Sequence, residues 1–233
     1  DKKVTVVNRA PRAPFTTSTL QQTASSRIGM QPSRTMRAAQ KLYEAGLITY
    51  MRTDSTTLSA DAQKNILNYV TQEFGADYAE AHTFKTKSKN AQEAHEAIRP
   101  TNIETKTVKI GNDENRLYEL IHARTVSSQM KDAKVERTHI EIGSDKLSYR
   151  LNLDGQRIVF PGWLKGDPDG ASDDVILPKI EIGDRCELEK LEIIDKETQP
   201  PNRFSEAGLI KELEKRGIGR PSTYASIIST IQT

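Results

Sequence analysis

Residues 46–55 read Gly-Leu-Ile-Thr-Tyr-Met-Arg-Thr-Asp-Ser. Tyr50 stands two residues before Arg52, and in an extended segment such positions project to the same side. A guanidinium holds phosphate oxygens in a bidentate fork. It also favours the phenolate form of a phenol whose pKa is ordinarily about 10. The pair therefore predicts attack by a tyrosine on a phosphodiester; the alternative is a half-buried strand tyrosine, with Arg52 paired to Asp54.

The composition is that of a globular chain of one or two domains, with 35% apolar and 28% charged residues in 233. No apolar run approaches the ~18 residues of a membrane span, and no signal peptide opens the chain. The single cysteine, Cys186, excludes an internal disulfide and a zinc ribbon, so we expect a cytoplasmic setting. Because the chain starts at Asp1 without methionine and stops inside a helical pattern, we expect a fragment of a longer protein.

Charge is unevenly distributed along the chain. Residues 1–60 carry a net +6 and residues 201–233 a net +2, which leaves −6 for residues 61–200. Random fluctuation is one explanation. The other is that the two ends build a basic surface for phosphates while the middle serves as scaffold.

Helical and strand periodicities alternate in blocks. Helices are predicted over 16–27, from a cap at Ser33 to Gly46, over 60–74 between Ser59 and Gly75, and over 114–130. Strands are predicted over 4–7, 138–142, 146–153, 156–160, 180–182 and 185–194, with a hairpin turn at Asp154-Gly155. Ser205 is predicted to cap a helix to about residue 216, and Pro221-Ser222 to open another.

One short sequence pattern is repeated in the two basic ends. Residues 28–33 and 218–222 both contain Ile-Gly and Pro-Ser, with one residue of slack, between two predicted helices. Both are candidates for a helix–turn–helix unit on a nucleic-acid surface. The alternative is that this sequence is simply favourable turn and cap chemistry.

Three segments together resemble one protein family. They are residues 46–55, residues 93–101 (Glu-Ala-His-Glu-Ala-Ile-Arg-Pro-Thr), and Phe-Ser-Glu-Ala at 204–207 followed by Gly-Ile-Gly-Arg-Pro-Ser-Thr-Tyr at 217–224. In this order they resemble bacterial type IA DNA topoisomerases, of the topoisomerase I kind. A lone Tyr-x-Arg is a weak signal, whereas three ordered blocks across most of the chain are a strong one.

The resemblance implies roles for several residues near Tyr50. Tyr50 would attack a DNA phosphodiester and form a 5′-phosphotyrosine link, and the covalent bond would make ATP unnecessary. Arg52 would neutralise the scissile phosphate. Thr49, with Thr53 as a weaker candidate, would position that phosphate, and His95 would contact it.

The resemblance also implies a groove for single-stranded DNA around Arg220, Ser222 and Thr223. These residues are predicted at the N-terminus of the last helix, where free N–H groups and the helix dipole favour anions. The alternative is a capped helix with an unrelated arginine.

No metal site is expected in this chain. The resemblance implies Mg²⁺ bound by an Asp-x-Asp-x-Glu cluster in a separate N-terminal domain, and no comparable motif occurs here. Asp167-Pro168-Asp169 and Asp173-Asp174 are predicted to be solvated turn residues.

The expected fold is a multidomain α and β structure, the central part of a toroidal type IA topoisomerase. Residues 1–12 and 139–200 would form a β-rich arch, residues 13–138 a helical domain carrying Tyr50, and residues 201–233 the start of a second helical domain. The whole enzyme would relax negatively supercoiled DNA as a monomer in the nucleoid, away from membranes. The fragment alone is predicted not to relax DNA.

Three other interpretations compete with this one. A tyrosine recombinase needs His-x-x-Arg and a tyrosine near the C-terminus, whereas here the tyrosine comes first and the spacing is His95-x-x-x-Arg99. The second is topoisomerase III, a decatenating relative, whose tyrosine segment usually departs from the motif at residues 47–55. A non-enzymatic helix–turn–helix module that binds single-stranded DNA is the third.

Overall fold

A computed structural model of the chain describes residues 1–84, 96–144, 147–170, 173–187, 189–190 and 192–232. Within these ranges it contains six α-helices and one three-stranded antiparallel sheet. The strands are β1 (Lys2–Arg9), β2 (Ala133–Ser144) and β3 (Leu147–Phe160). The helices are α1 (Thr17–Ile28), α2 (Pro32–Glu44), α3 (Ala60–Phe74), α4 (Asn112–Ser127), α5 (Glu206–Lys215) and α6 (Tyr224–Ile231). In this described part, no helix has the length and apolar character that crossing a membrane requires.

The chain divides into two compact units. The β unit comprises Asp1–Arg9, Ala133–Pro161 and the described part of Ser172–Arg203, and the helical unit comprises the rest. The predicted boundaries at 12/13, 138/139 and 200/201 remain predictions, because the two units describe contacts within this chain and not the domains of a longer enzyme.

The sheet has the order β1-β2-β3, and the predicted hairpin at Asp154-Gly155 is wrong. Strand β3 runs through both residues, with Asp154 opposite His139 and Gly155 opposite Thr138. A Cβ on Gly155 would lie 2.5 Å from Leu177 Cγ and 2.8 Å from the Val175 carbonyl oxygen. The glycine therefore permits close approach of a neighbouring segment and does not form a turn.

The strands predicted over 180–182 and 185–194 are also wrong for the residues that the structure describes there. The large apolar side chains of this region do not face a core, because they are largely exposed at Ile182, Ile193 and Ile194. In the preceding segment, Val175 makes a single antiparallel bridge to Gln156. A period of two indicates a strand only where a partner strand and a buried face are available.

The helices follow the sequence closely, with corrections at the starts of α2 and α6 and at both ends of α4, which runs over Asn112–Ser127 and not over 114–130. Helix α3 has the predicted bounds, and the Ser59 hydroxyl accepts a hydrogen bond from the Ala62 N–H. Helix α2 begins at Pro32 with Gln31 at the N-cap, so Ser33 does not cap it. Helix α6 begins at Tyr224, because residues 221–223 form a turn and not the first turn of the helix. Proline at the first helical position needs no N–H, which favours the earlier start of α2.

Apart from a smaller cluster of Ile210, Tyr224 and Ile228 on α5 and α6, a large apolar core organises the helical unit. It is formed by side chains from α1, α2, α4 and the two loop segments around residues 48–51 and 97–98, including Phe15, Leu20, Leu42, Ile48, Met51, Ile98, Leu117 and Ile121. The segment of residues 46–55 is therefore anchored in the core through Ile48 and Met51, which are almost fully buried.

Asp167 is not the solvated turn residue that the sequence predicted. It is buried, 2.5 Å from Arg27 Nη1 and 3.8 Å from Arg124 Nε. Burial lowers the pKa of Arg124 to about 10, against the opposing effect of Asp167, so the guanidinium stays charged at neutral pH. Next to it Trp163, also buried, fixes the segment that carries Asp167 in the helical unit. Asp169, Asp173 and Asp174 are exposed, as predicted.

Candidate active site

The end of helix α2 sets the direction of the segment that carries Tyr50. Gly46 adopts a left-handed backbone with φ of 70°. Its N–H donates to the Tyr43 carbonyl at 2.8 Å, and the Leu47 N–H donates to the Leu42 carbonyl at 2.9 Å. This pair of bonds is the Schellman motif, and it turns the chain back along the helix. Glycine is required at position 46 because other residues rarely adopt a positive φ.

The segment is then held from two sides by backbone hydrogen bonds. On one side the Thr49 N–H donates to the Arg99 carbonyl at 2.9 Å, and the Thr101 N–H donates to the Leu47 carbonyl at 3.0 Å. On the other side the Thr17 N–H donates to the Thr53 carbonyl at 2.9 Å. The backbone around Tyr50 is therefore fixed although it belongs to neither a helix nor a strand.

Burial alternates along this fixed segment. Met51 and Thr53 are almost fully buried, whereas Tyr50 is 40% exposed and Arg52 is also exposed. The phenol and the guanidinium of the predicted pair are thus both accessible to a ligand from solvent. The buried side chains on either side of Arg52, Met51 and Thr53, anchor the segment to the helical unit together with Ile48.

Thr17 is a functional support that sequence reasoning missed. Its buried hydroxyl lies 2.6 Å from the Met51 carbonyl oxygen and 3.1 Å from the Thr53 carbonyl oxygen, and it accepts from the Thr53 N–H at 2.9 Å. One side chain at the start of α1 thereby fixes the backbone on both sides of Arg52. Nothing local in the sequence separates this threonine from an ordinary residue of the first helical turn.

Thr49 uses its hydroxyl within the fold. The hydroxyl donates to the Ala97 carbonyl at 2.7 Å and accepts from the Arg99 N–H at 3.0 Å. It therefore joins the Tyr50 segment to the segment after residue 96. Its predicted contact with the scissile phosphate remains a prediction.

His95 lies outside the described residues. The two charged residues that follow it in the same motif, Glu96 and Arg99, are described. Glu96 accepts from the Ser59 N–H at 2.7 Å and from Arg99 Nη2 at 2.7 Å. Burial opposes ionisation of Glu96, but the bonds from Ser59 and Arg99 outweigh it and lower the pKa of the carboxyl. Arg99 also donates to the Pro100 carbonyl, so it braces this loop.

Arg220, Ser222 and Thr223 lie together at the turn before α6. The Arg220 N–H donates to the Thr223 hydroxyl at 2.8 Å, and the Arg220 and Ser222 side chains are exposed. Burial raises the pKa of neighbouring Tyr224; Glu214 and Asp54 add to that effect and Arg220 opposes it. Asp54, four residues after Tyr50, is therefore within electrostatic reach of this turn.

The two helix pairs predicted around the repeated pattern at residues 28–33 and 218–222 are both present. Helices α1 and α2 are joined through Gly29, and α5 and α6 through Gly217 and Gly219, all three with positive φ. The Ser18 hydroxyl donates to Glu214 at 2.8 Å, which links α1 to α5. The Tyr50 segment and the Arg220 turn thus belong to one packed unit.

The grouping of possible metal ligands can be followed only over the described residues. Among the residues that the structure describes, no three His, Cys, Asp or Glu side chains are grouped so that they could hold a metal ion. Asp167, one of the carboxylates of the acidic loop, is engaged with Arg27 and Arg124.

Comparisons with known proteins agree with this arrangement. The family description "DNA topoisomerase" matches residues 1–233. DNA topoisomerase 1 of Vibrio cholerae is 48% identical over 228 residues, which is 95% of this chain and 26% of the relative. DNA topoisomerase 1 of Streptomyces coelicolor is 48% identical over 239 residues, covering 96% of this chain and 25% of the relative.

A solved structure gives the same result for the fold. Full-length topoisomerase I from Thermotoga maritima matches with a TM-score of 0.83 and 36% identity, over 99% of this chain and 39% of that one. The chain therefore belongs to the bacterial type IA DNA topoisomerase I family, as the three sequence blocks predict. It spans about a quarter of the length of the curated relatives it matches.

Proposed function

We propose that this chain carries the nucleophile of an ATP-independent type IA DNA topoisomerase. The whole enzyme cuts one DNA strand, passes a strand through the break and reseals it, relaxing negative supercoils. The observation that carries the proposal is the exposed Tyr50 beside exposed Arg52 on a backbone fixed from two sides. This chain alone is not expected to complete the reaction.

The cleavage step follows from the chemistry of the two side chains. Tyr50 Oη loses its proton and attacks the phosphorus, and the bond between phosphorus and the 3′-oxygen breaks. The 3′-oxygen takes up one proton and leaves as a hydroxyl, so no net proton is gained or lost. The phosphate becomes a diester linked to the 5′ side of the break, so the reverse attack by the 3′-hydroxyl restores both starting groups. Arg52 stabilises the negative charge that develops on the phosphate oxygens, and His95 adds a further contact.

The fixed backbone supports this role through positioning. A nucleophile and a phosphate-binding group that are already oriented avoid much of the entropic cost of assembling the transition state. The hydroxyls of Thr17 and Thr49 hold the segment through bonds to the Met51 and Ala97 carbonyls.

Single-stranded DNA is the proposed partner, and negatively supercoiled DNA the substrate of the whole enzyme. The exposed Arg220, with Ser222 and Thr223 before helix α6, supplies a cation and polar groups where the helix dipole favours a phosphate. The β-rich segments act as the arch and hinge of the toroid, and residues 201–233 begin the domain that holds the strand. We further propose a monomer that works in the nucleoid, with Mg²⁺ bound outside this chain.

The test is covalent capture by the full-length enzyme that contains this chain. With magnesium and end-labelled single-stranded DNA, denaturing electrophoresis is expected to show a protein–DNA band that is lost in Tyr50→Phe. Tyr149→Phe is the matched control, because Tyr149 is also an exposed tyrosine but belongs to the β unit and not to the Tyr50 segment. A band that survives Tyr50→Phe would contradict the proposed nucleophile.

A second candidate function is binding of single strands without chemistry, favoured by the exposed Arg220 and the two helix pairs joined through glycine. Salt-sensitive binding with no covalent band in any variant would support it and exclude the enzyme. In the same series, the isolated chain is expected to leave supercoiled DNA unrelaxed.

A further inference from the structure

A second tyrosine lies directly against the proposed nucleophile. The ring centroids of Tyr43 and Tyr50 are 5.2 Å apart, and the ring planes meet at 64°. This is an edge-to-face arrangement, in which the positive edge of one ring meets the negative face of the other. It restricts rotation of both rings because the attraction depends on their angle.

The pair is a consequence of the turn after α2. Tyr43 lies in the last turn of the helix, and its carbonyl accepts the N–H of Gly46. The left-handed Gly46 then returns the chain so that position 50 meets position 43. The backbone is thus fixed at both partners, at Tyr43 by the helix and at Tyr50 by the bonds of Thr49 and Thr53.

The surroundings of the two rings distinguish this pair from core packing. Tyr43 and Tyr50 are 41% and 40% exposed, whereas fully packed aromatic rings such as Phe15 and Tyr118 are almost inaccessible. The fold does not enclose the Tyr50 ring. The aromatic neighbour that the helix presents therefore contributes to its orientation at the surface.

We propose that Tyr43 is a positioning residue that holds the Tyr50 ring in the orientation required for attack. This inference rests on the proposed function, because it assigns a support to the same nucleophile. Tyr43 acts through its ring and not through its hydroxyl, so phenylalanine should replace it and an aliphatic side chain of similar reach should not. Misplacement of a reacting group by about 1 Å can lower a rate by about a hundredfold, so modest extra freedom of the ring is measurable.

The experiment compares Tyr43→Leu and Tyr43→Phe in the full-length enzyme, with Tyr50→Phe as the null. The readouts are the single-turnover rate of covalent adduct formation at saturating DNA, the affinity for single-stranded DNA, and the melting temperature. Tyr43→Leu is expected to form the adduct about five- to tenfold more slowly with unchanged affinity and melting temperature. Tyr43→Phe is expected to match the wild type.

A second measurement reports on the ring itself. Fluorotyrosine placed at position 50 is expected to give one sharp ¹⁹F line in the wild type and in Tyr43→Phe, and a broadened or shifted line in Tyr43→Leu. This readout does not require turnover, so it also applies if Tyr43→Leu is poorly active.

The outcomes separate the two proposals. Adduct formation that is as fast in Tyr43→Leu as in the wild type would overturn the role of Tyr43 and leave the nucleophile intact. Equal losses in Tyr43→Leu and Tyr43→Phe, or a loss of DNA affinity in place of rate, would also overturn it. Absence of any Tyr50-dependent adduct in the wild type would overturn the proposed function, and this inference with it.

Discussion

The helical unit and the β unit treat their apolar side chains differently. In the helical unit Phe15, Leu42 and Tyr118 are almost fully buried in one core. In the β unit Val4, Val6 and Leu151 remain about half exposed on the sheet. A packed core transmits and resists strain, whereas an open sheet face does neither well. The residues that need fixed geometry, Tyr50 and its supports, all lie in the helical unit.

Charged groups show the same contrast. The helical unit buries Asp167 between Arg27 and Arg124. The β unit pairs its charged and polar groups at the surface, as between His139 Nδ1 and the Asp154 carboxylate, whose side chains are 47% and 80% exposed. Breaking a buried pair leaves an uncompensated charge, whereas an exposed pair contributes little. The two units therefore make a direct experimental comparison possible.

The largest expected effect is that of Asp167→Asn. Because Arg27 and Arg124 would remain buried without their carboxylate, we expect the free energy of unfolding of the helical unit to fall by about 3–5 kcal/mol. Urea denaturation followed by circular dichroism at 222 nm measures the change. Asp154→Asn is the matched control, for which we expect at most about 1 kcal/mol. Equal effects of the two substitutions would contradict the contrast between the units.

The second prediction concerns the support under the site. Thr17→Val preserves the shape of the side chain but leaves the Met51 carbonyl and the Thr53 N–H without the hydroxyl. We expect a loss of about 1–3 kcal/mol in the free energy of unfolding, together with slower adduct formation in the full-length enzyme. Thr5→Val is the control, because Thr5 is exposed on β1, where valine is favoured. Urea denaturation measures the first effect and the single-turnover rate of adduct formation the second. Unchanged values of both in Thr17→Val would refute the proposed support.

Local sequence patterns predicted those parts of the structure that depend on neighbouring residues. The bounds of α3, its Ser59 cap and the turn at Gly46 follow from helix periodicity and terminal residues within a few positions. The predicted end of α2 at Gly46 also placed Tyr50 on the segment that follows this helix. These features are decided by contacts across three or four residues, which a sequence displays directly.

The errors and omissions arise from contacts between distant residues. Thr17 meets Met51 and Thr53 across more than 30 positions, and Asp167 meets Arg27 across 140. In the same way, Gly155 resembles a turn residue until Leu177 is seen packing against its backbone. A local pattern gives the chemistry of a residue but not its partner. The exposed Tyr50–Arg52 pair was therefore predictable, whereas the groups that hold it in place were not.

The smallest expected effect is a pH dependence confined to the helical unit, and it arises from His122 on α4. Burial is the main cause that lowers the pKa of His122, and the charge of Lys106 lowers it further. The bond to the Ile103 carbonyl and the charges of Glu104 and Glu73 raise this pKa but are outweighed. A carbonyl only accepts, so the Nε2 atom, 2.8 Å away, carries the proton of the neutral imidazole. Edge-to-face contact with Tyr69 at 5.5 Å keeps the ring in this position.

The sign of the effect follows from which state binds more protons. In the unfolded chain His122 titrates near its ordinary pKa of about 6.5, whereas in the folded chain it titrates lower. The unfolded state therefore takes up the proton first on acidification. The contribution of His122 is fully present above pH ~6.5 and is lost as the pH falls from there through the lowered folded pKa. Carboxylates such as Glu96, with a lowered pKa, affect stability at more acidic values and leave this window clear.

Urea denaturation of the chain at pH 7.5 and at pH 5.0 measures this difference through the α-helical signal. His122→Gln retains an amide donor for the Ile103 carbonyl but does not titrate, so the fall in stability between the two pH values should be smaller in this variant. His139→Gln, in the exposed pair of the β unit, should leave the fall in the helical signal unchanged. An undiminished fall in His122→Gln would mean that another group in the helical unit sets the pH dependence, because a glutamine at position 122 has no proton to gain.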